Sequence, residues 1–191
     1  MTILILGLLI FLGIHSIRIV AEPARQGMVE KMGEWGYKGV YSVIALVGLV
    51  LIVVGYGQAR LEPVVLYQLP TGVQHLSLLL LLPVFPALLA AYFPGRISDT
   101  LKHPMLVAVK AWAIAHLLAN GTLADVLLFG VFLVWAVVDR ISVGCRTGSG
   151  NGAQLPRTAF NDVIVIAGGL GLYVAFVIWL HPLLIGVPAI G

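Results

Sequence analysis

The sequence predicts an all-α protein that crosses a membrane about six times as a helical bundle, built as one domain over residues 1–191. Three observations predict it. Hydrophobic residues make up 60% of the chain and charged residues 10%, where a soluble domain carries about a quarter charged residues. The mean hydropathy of +1.06 says the same. Apolar runs near the roughly 20 residues that span a bilayer recur along the whole length, and the cations gather in alternate loops. The same composition excludes other classes. One cysteine, no basic block and no low-complexity tail rule against a disulfide scaffold, a nucleic-acid-binding protein and a disordered chain.

The first run, 1–17, holds no acid or base apart from His15. Nothing positive precedes Arg18 and no Ala-x-Ala site follows, so the run reads as a retained helix rather than a cleaved signal peptide. The second run, 39–59, is uncharged. The third is the spanning part, 72–93, of a longer uncharged stretch over 63–95. The fourth, 103–119, contains Lys110 and two histidines and is the weakest of the six. A tight Asn120-Gly121 turn leads into the fifth, 123–138, where Thr122 and Asp125 stand at capping-box spacing. So short a connection predicts that the fourth and fifth helices form an antiparallel hairpin. The sixth run is 163–180, and no charge follows Asp162. Within it, Gly168-Gly169-x-Gly171 reads as a packing face that lets helix backbones approach, inside the chain or in a homo-oligomer.

Loop charge predicts orientation. Arg18, Arg25, Lys31 and Lys38 follow the first helix, Arg96 and Lys102 the third, and Arg140, Arg146 and Arg157 the fifth. Nine of the eleven cations therefore lie on one side, opposed only by Arg60, while Lys110 falls inside the fourth helix. Both termini are predicted outside the cytoplasm. The Gly-rich stretch 146–154 reads as a flexible linker, since it lacks the Lys-Ser/Thr and preceding strand of a phosphate-binding loop. Cys145 reads as a reduced free thiol in a cytosolic loop.

Ionisable groups at membrane depth are the candidates for function. His15 and His103 belong to the inner half of the topology; His75, His116 and His181 belong to the outer half. Each is also readable as an interfacial hydrogen-bonded group. His103 and His116 are 13 residues apart and, at about 100° per residue, point to nearly opposite faces of a regular helix. His116 shares its face with Ala108, Trp112, Ala115 and Ala119, a small-residue stripe beside one aromatic that admits a flat group. On the first helix Phe11, His15, Arg18 and Glu22 share a face. There Arg18 either pairs with Glu22 or holds an acidic group of a ligand at His15. Paired histidines from separate helices are a common way to hold haem iron. Zinc wants three or four ligands, which leaves the outer trio His75, His116 and His181 open as a second arrangement. With no Cys-x-x-Cys-His, any haem is held non-covalently. No intramembrane acidic pair and no Gly-x-Ser-x-Gly elbow supports hydrolytic chemistry.

Four motifs carry a resemblance. His15-Ser16 followed by Arg18, Leu66-Tyr67-Gln68-Leu69 running to His75, Lys102-His103-Pro104 leading to Trp112-Ala113-Ile114-Ala115-His116, and His181-Pro182 resemble the NnrU family in order and spacing over nearly the whole chain. These are bacterial membrane proteins associated with denitrification and nitric-oxide metabolism, and the plant 15-cis-zeta-carotene isomerase is a member. The resemblance implies haem b held by two histidines, carried over by motif to His15 and His116, with Arg18 and Trp112 beside them. It also implies a partner such as nitric oxide or a lipid-soluble polyene, beyond membrane lipid itself. Catalytic residues are not assigned by it.

The chain departs from the plant branch at Ala113, where those isomerases carry a cysteine, and in the reduced charge of the loop after the fifth helix. Helical rise sets a condition on the pair. At 1.5 Å per residue His15 lies about 20 Å below the outer end of its helix and His116 about 6 Å below its own. Tilt, a first helix extended towards Glu22, or a re-entrant fourth helix would reconcile them. Two other readings stay open. Lys102-His103-Pro104 is similar to the start of the S-adenosylmethionine-binding part of isoprenylcysteine methyltransferase-like membrane enzymes, although 140–157 lacks their acids and tyrosine. A non-enzymatic assembly or sensor protein is the other.

Overall fold

A computed structural model describes residues 1–145 and 155–188, so the linker 146–154, including Arg146, and the terminal Gly191 lie outside the described residues. Among the described residues the structure is helical throughout, in the order α1 (Thr2–Val20), α2 (Glu22–Ala59), α3 (Thr71–Leu81), α4 (Val84–Ala90), α5 (Arg96–Leu101), α6 (Pro104–Ala119), α7 (Leu123–Cys145), α8 (Asn161–Ala175), a π-helical turn (Phe176–Leu180) and α9 (His181–Ile185). Five stretches are long and apolar enough to cross a membrane: Thr2–Val20, Glu22–Ala59, Thr71–Ala90, Leu123–Cys145 and Asn161–Ile185. The shorter apolar helix Pro104–Ala119 is the sixth. Its 16 residues reach about 24 Å, less than a hydrocarbon core of about 30 Å. That is the element that composition marked as weakest.

Two compact units make up the described chain. The first contains α1, α2 and α7 with the connection over 60–69. Here α1 packs along α2 and touches α7. Glycines set the α1–α2 distance: a Cβ on Gly7 would stand 2.5 Å from the Ile52 amide nitrogen, and one on Gly48 2.7 Å from that of Phe11. Gly55 likewise faces the backbone of Leu4. This is the close approach by which small residues replace hydrophobic driving force inside lipid. The outward faces stay apolar, with Leu9, Val53 and Val134 more than half exposed, as lipid contact requires.

α2 starts earlier than its apolar window does. Residues 22–32 are polar yet rich in helix formers, so the chain is helical from Glu22 and turns at Gly33, where φ is 72° and ψ 162°. Only glycine takes that conformation without strain. The bend separates an 11-residue polar stretch from the membrane segment; unbroken, 38 residues would run about 57 Å.

Thr122 and Asp125 form the capping box that their spacing predicts. The Thr122 amide donates to Asp125 Oδ2 (3.0 Å), its hydroxyl donates to the same oxygen (2.6 Å), and the Asp125 amide donates back to Thr122 Oγ1 (3.3 Å). The Tyr56 hydroxyl donates to Asp125 Oδ1 at 2.6 Å and ties the cap to α2. The connection over 60–69 lies against the Asn120-Gly121 turn: the amides of Leu66 and Tyr67 donate to the Gly121 carbonyl, and that of Leu123 to the Val64 carbonyl. A side chain at Gly121 would collide with the Tyr67 carbonyl.

The second unit contains α3–α6, α8, the π-helical turn and α9. The predicted third span is interrupted between Leu81 and Val84, because Pro83 offers no amide hydrogen and its ring opposes the preceding turn. α4 packs on both α6 and α8. Gly169 makes that possible, since a Cβ there would lie 2.5 Å from the Pro86 nitrogen. The Gly168-Gly169 face is thus used within the chain. Val84, Ala87 and Ala108 form the buried centre, with Trp112 packed against it.

Candidate functional site

In the first unit His15 sits half-buried on α1 inside an aromatic wall. Phe11, one turn earlier, stacks on the imidazole with centroids 4.2 Å apart. From α2 the Tyr41 ring approaches at 5.3 Å, and from α7 the Trp135 ring stands perpendicular at 6.1 Å. His15 Nδ1 lies 2.6 Å from the Phe11 carbonyl oxygen. A carbonyl only accepts, so Nδ1 carries the proton and Nε2 holds the lone pair in the neutral ring. This is the orientation that metal-ligating histidines receive from a second partner.

In the second unit His116 repeats the arrangement. Its Nδ1–H donates to the Trp112 carbonyl at 2.9 Å, and the Trp112 ring, one turn earlier, lies 5.3 Å away. Both family-implied histidines therefore share one local design: an aromatic residue four positions back supplies a ring beside the imidazole and a carbonyl that sets its tautomer. Helical side chains lean towards the N-terminus, which is why a histidine reaches the carbonyl four residues earlier. Ala108, Ala113 and Ala115 are buried, and Trp112 flanks His116.

The other histidines differ. His75 makes the same bond to the Thr71 carbonyl at 2.8 Å but is exposed, and no aromatic residue occupies the position four back. His181 donates from Nδ1 to the Val187 carbonyl at 2.7 Å, just after the π-helical turn. His103 precedes α6 and its carbonyl accepts from the amides of Leu106 and Val107, while Lys102 takes a φ of 60°. Among the described residues no three His, Cys, Asp or Glu side chains gather as a metal centre, so the trio His75, His116 and His181 is not assembled. Arg18 closes the last turn of α1, and Lys110 is half-buried on α6. The ion pair of Glu22 is with Arg25, at 3.0 Å. α1 stops at Val20, with Ala21 out of helical conformation at φ −144°, so it does not extend to Glu22.

The aromatic wall from Tyr41 and Trp135 is a tertiary product with no sequence periodicity to announce it. A second polar cluster was equally unannounced. Asp162 accepts from the amides of Arg96 and Ile97 at 3.0 and 3.1 Å, and Arg157 pairs with Asp99 at 2.6 Å. Gly95, Arg96, Arg157, Thr158, Ala159 and Asp162 surround a cavity of about 500 Å³. The Arg157 hydrogen bond holds the Asp99 carboxyl below the usual range against the opposing effect of desolvation, with a smaller contribution from the Arg157 charge.

The six apolar helices, their lipid-facing surfaces and the half-buried histidines define a multi-pass helical membrane protein. A family model described as NnrU protein matches residues 3–189, so the chain belongs to the NnrU family. No curated protein and no solved structure matches it.

Proposed function

We propose that this protein binds b-type haem non-covalently, with His15 and His116 as the residues that would hold it, and works on a small apolar partner in a bacterial inner membrane with both termini periplasmic. The observation that carries the reading is the shared clamp. His15 and His116 each have Nδ1–H committed to the carbonyl of an aromatic residue four positions back, the tautomer that puts the lone pair on Nε2. The aromatic walls fit a flat macrocycle: Phe11, Tyr41 and Trp135 around one imidazole, Trp112 beside the other. Two neutral imidazoles suffice for haem iron, whereas a zinc centre would need the larger cluster that the described residues lack. Arg18, one turn inward of His15, supplies the charge to hold an acidic group of the ligand.

Haem would supply a redox-active iron able to bind nitric oxide or to stabilise a transient state of a polyene during cis–trans isomerisation. The residues themselves set the imidazole tautomers and place aromatic rings beside them. Family membership supports the nitric-oxide branch and the isomerase branch alike. Ala113 lies where the plant enzymes carry cysteine, so in this chain the reading uses no thiolate at that position.

The test is the absorption spectrum of protein purified in detergent after expression with haem supply. A Soret band is expected, altered in His15→Ala and in His116→Ala and unchanged in His75→Ala. No Soret band in the parent protein overturns the reading, and an unaltered spectrum in either of the first two variants removes that histidine from the site.

A further inference from the structure

We infer that Trp135 is a positioning residue that donates its indole Nε1–H to a carboxylate of the ligand held at His15. The inference rests on the haem reading and names how the chain would orient that group.

The observation is an unpaired donor. The Trp135 Nε1 atom is sealed from solvent and has no hydrogen-bond partner among the described residues. Trp135 stands 12 residues into α7 from Leu123, about 18 Å along the helix. His15 stands 13 residues into α1 from Thr2, about 20 Å along it. Both helices run inward under the predicted topology, so the perpendicular ring contact between them joins groups at one depth. Little water is present there to satisfy an indole N–H, and buried polar groups that stay unpaired in a native fold call for a partner. The helix carbonyls around Trp135 are engaged in α7. The indole makes no hydrogen bond to His15, whose imidazole also meets the rings of Phe11 and Tyr41. On the haem reading the missing acceptor is assigned to the ligand held at His15.

Chemistry narrows that acceptor. An ionised oxygen gives a buried N–H donor the stronger, shorter bond, which favours a carboxylate. Porphyrin propionates are carboxylates on the rim of a flat ring.

The test titrates haem b, and separately its dimethyl ester, into the detergent-purified protein without haem, for the parent and Trp135→Phe, following the Soret band. With the dimethyl ester controlling for the packing lost with the smaller ring, Trp135→Phe keeps an aromatic ring and deletes the donor. Its affinity for haem b should fall about tenfold, the cost expected for one hydrogen bond to a charged group. Affinity for the dimethyl ester should hardly change. Equal affinities of the two proteins for haem b, or equal losses with both porphyrins, overturn the assignment while leaving the haem reading intact. A parent protein that binds neither porphyrin overturns both. Should Trp135→Phe fail to fold, resonance Raman of the parent chain decides: haem b should shift the hydrogen-bond-sensitive indole band of one of the four tryptophans, and the ester should leave it nearly unmoved. No shift with haem b overturns the assignment.

Discussion

Asp125→Ala should destabilise this protein more than any other single truncation on α7. Asp125 is 4% exposed and accepts from the Tyr56 hydroxyl at 2.6 Å, the Thr122 amide at 3.0 Å and the Thr122 hydroxyl at 2.6 Å. Truncation leaves the first two donors without an acceptor in a buried place. A hydrogen bond to a charged group is worth about 1.5–3 kcal/mol and a helix N-cap about 1 kcal/mol. Three bonds to one carboxylate do not add, so a working figure is about 3 kcal/mol. At 2–4 °C per kcal/mol for a chain of this size, the Tm should fall by about 6–12 °C. Tyr56→Phe alone removes one such bond and, at the lower end of about 1.5 kcal/mol, should cost about 3–6 °C. The assay is thermal unfolding in detergent, followed by circular dichroism, on a double-mutant cycle. Adding Tyr56→Phe to Asp125→Ala should cost little more, because the shared bond is already gone. A Tm for Asp125→Ala within about 2 °C of the parent, or full additivity of the two changes, would refute the claim that this carboxylate ties α7 to α2.

Two further predictions follow from charge. Asp99 has a depressed carboxyl in the folded state because Arg157 pairs with its ionised form. A depressed value means the contribution is present above the unfolded carboxylate range near pH 4 and is lost as pH falls through the folded value. The Tm difference between the parent and Asp99→Asn should therefore be measurable near pH 6, vanish towards pH 3 and shrink in high salt, since the pair is exposed; a difference that grows on acidification contradicts the pairing. The cation asymmetry predicts that a reporter fused after Gly191 behaves as periplasmic and one inserted near Lys102 as cytoplasmic, and the reverse pattern would refute the orientation.

Composition and loop charge made the membrane class and all six helices legible, because lipid forces long apolar runs and leaves cations at their ends. What stayed hidden depends on contacts across sequence. Pro83 was visible, yet the uncharged run across it masked the break that separates α3 from α4. The polar residues of 22–32 concealed a helix, because an apolar window finds only the part of α2 that meets lipid. Gly7, Gly48 and Gly55 lie far apart in the chain, and only their meeting reveals the α1–α2 seam. At the candidate site the histidines and Trp112 were readable by motif. Tyr41 and Trp135 were not, since their role comes from two helices converging on α1.

The clamp at His15 and His116 explains why so much of this site was local. A histidine on a helix leans back over the preceding turn, so its Nδ1 reaches the carbonyl four residues earlier without help from the rest of the fold. That bond fixes the tautomer and directs Nε2 away from the helix axis. The sequence pattern aromatic-x-x-x-His therefore sets both the chemical form of the imidazole and the ring that flanks it. His75 tests the sufficiency of this device: it has the same bond, to Thr71, yet is exposed and lacks the aromatic neighbour. On the haem proposal the tautomer alone does not mark a ligand; the ring beside it would supply the flat surface against which a macrocycle rests. Introducing Thr71→Phe would add that ring, but His75 would remain exposed, so a ligand site should not follow. Burial by neighbouring helices, which His15 obtains from α2 and α7, is the part of the design that local sequence cannot provide.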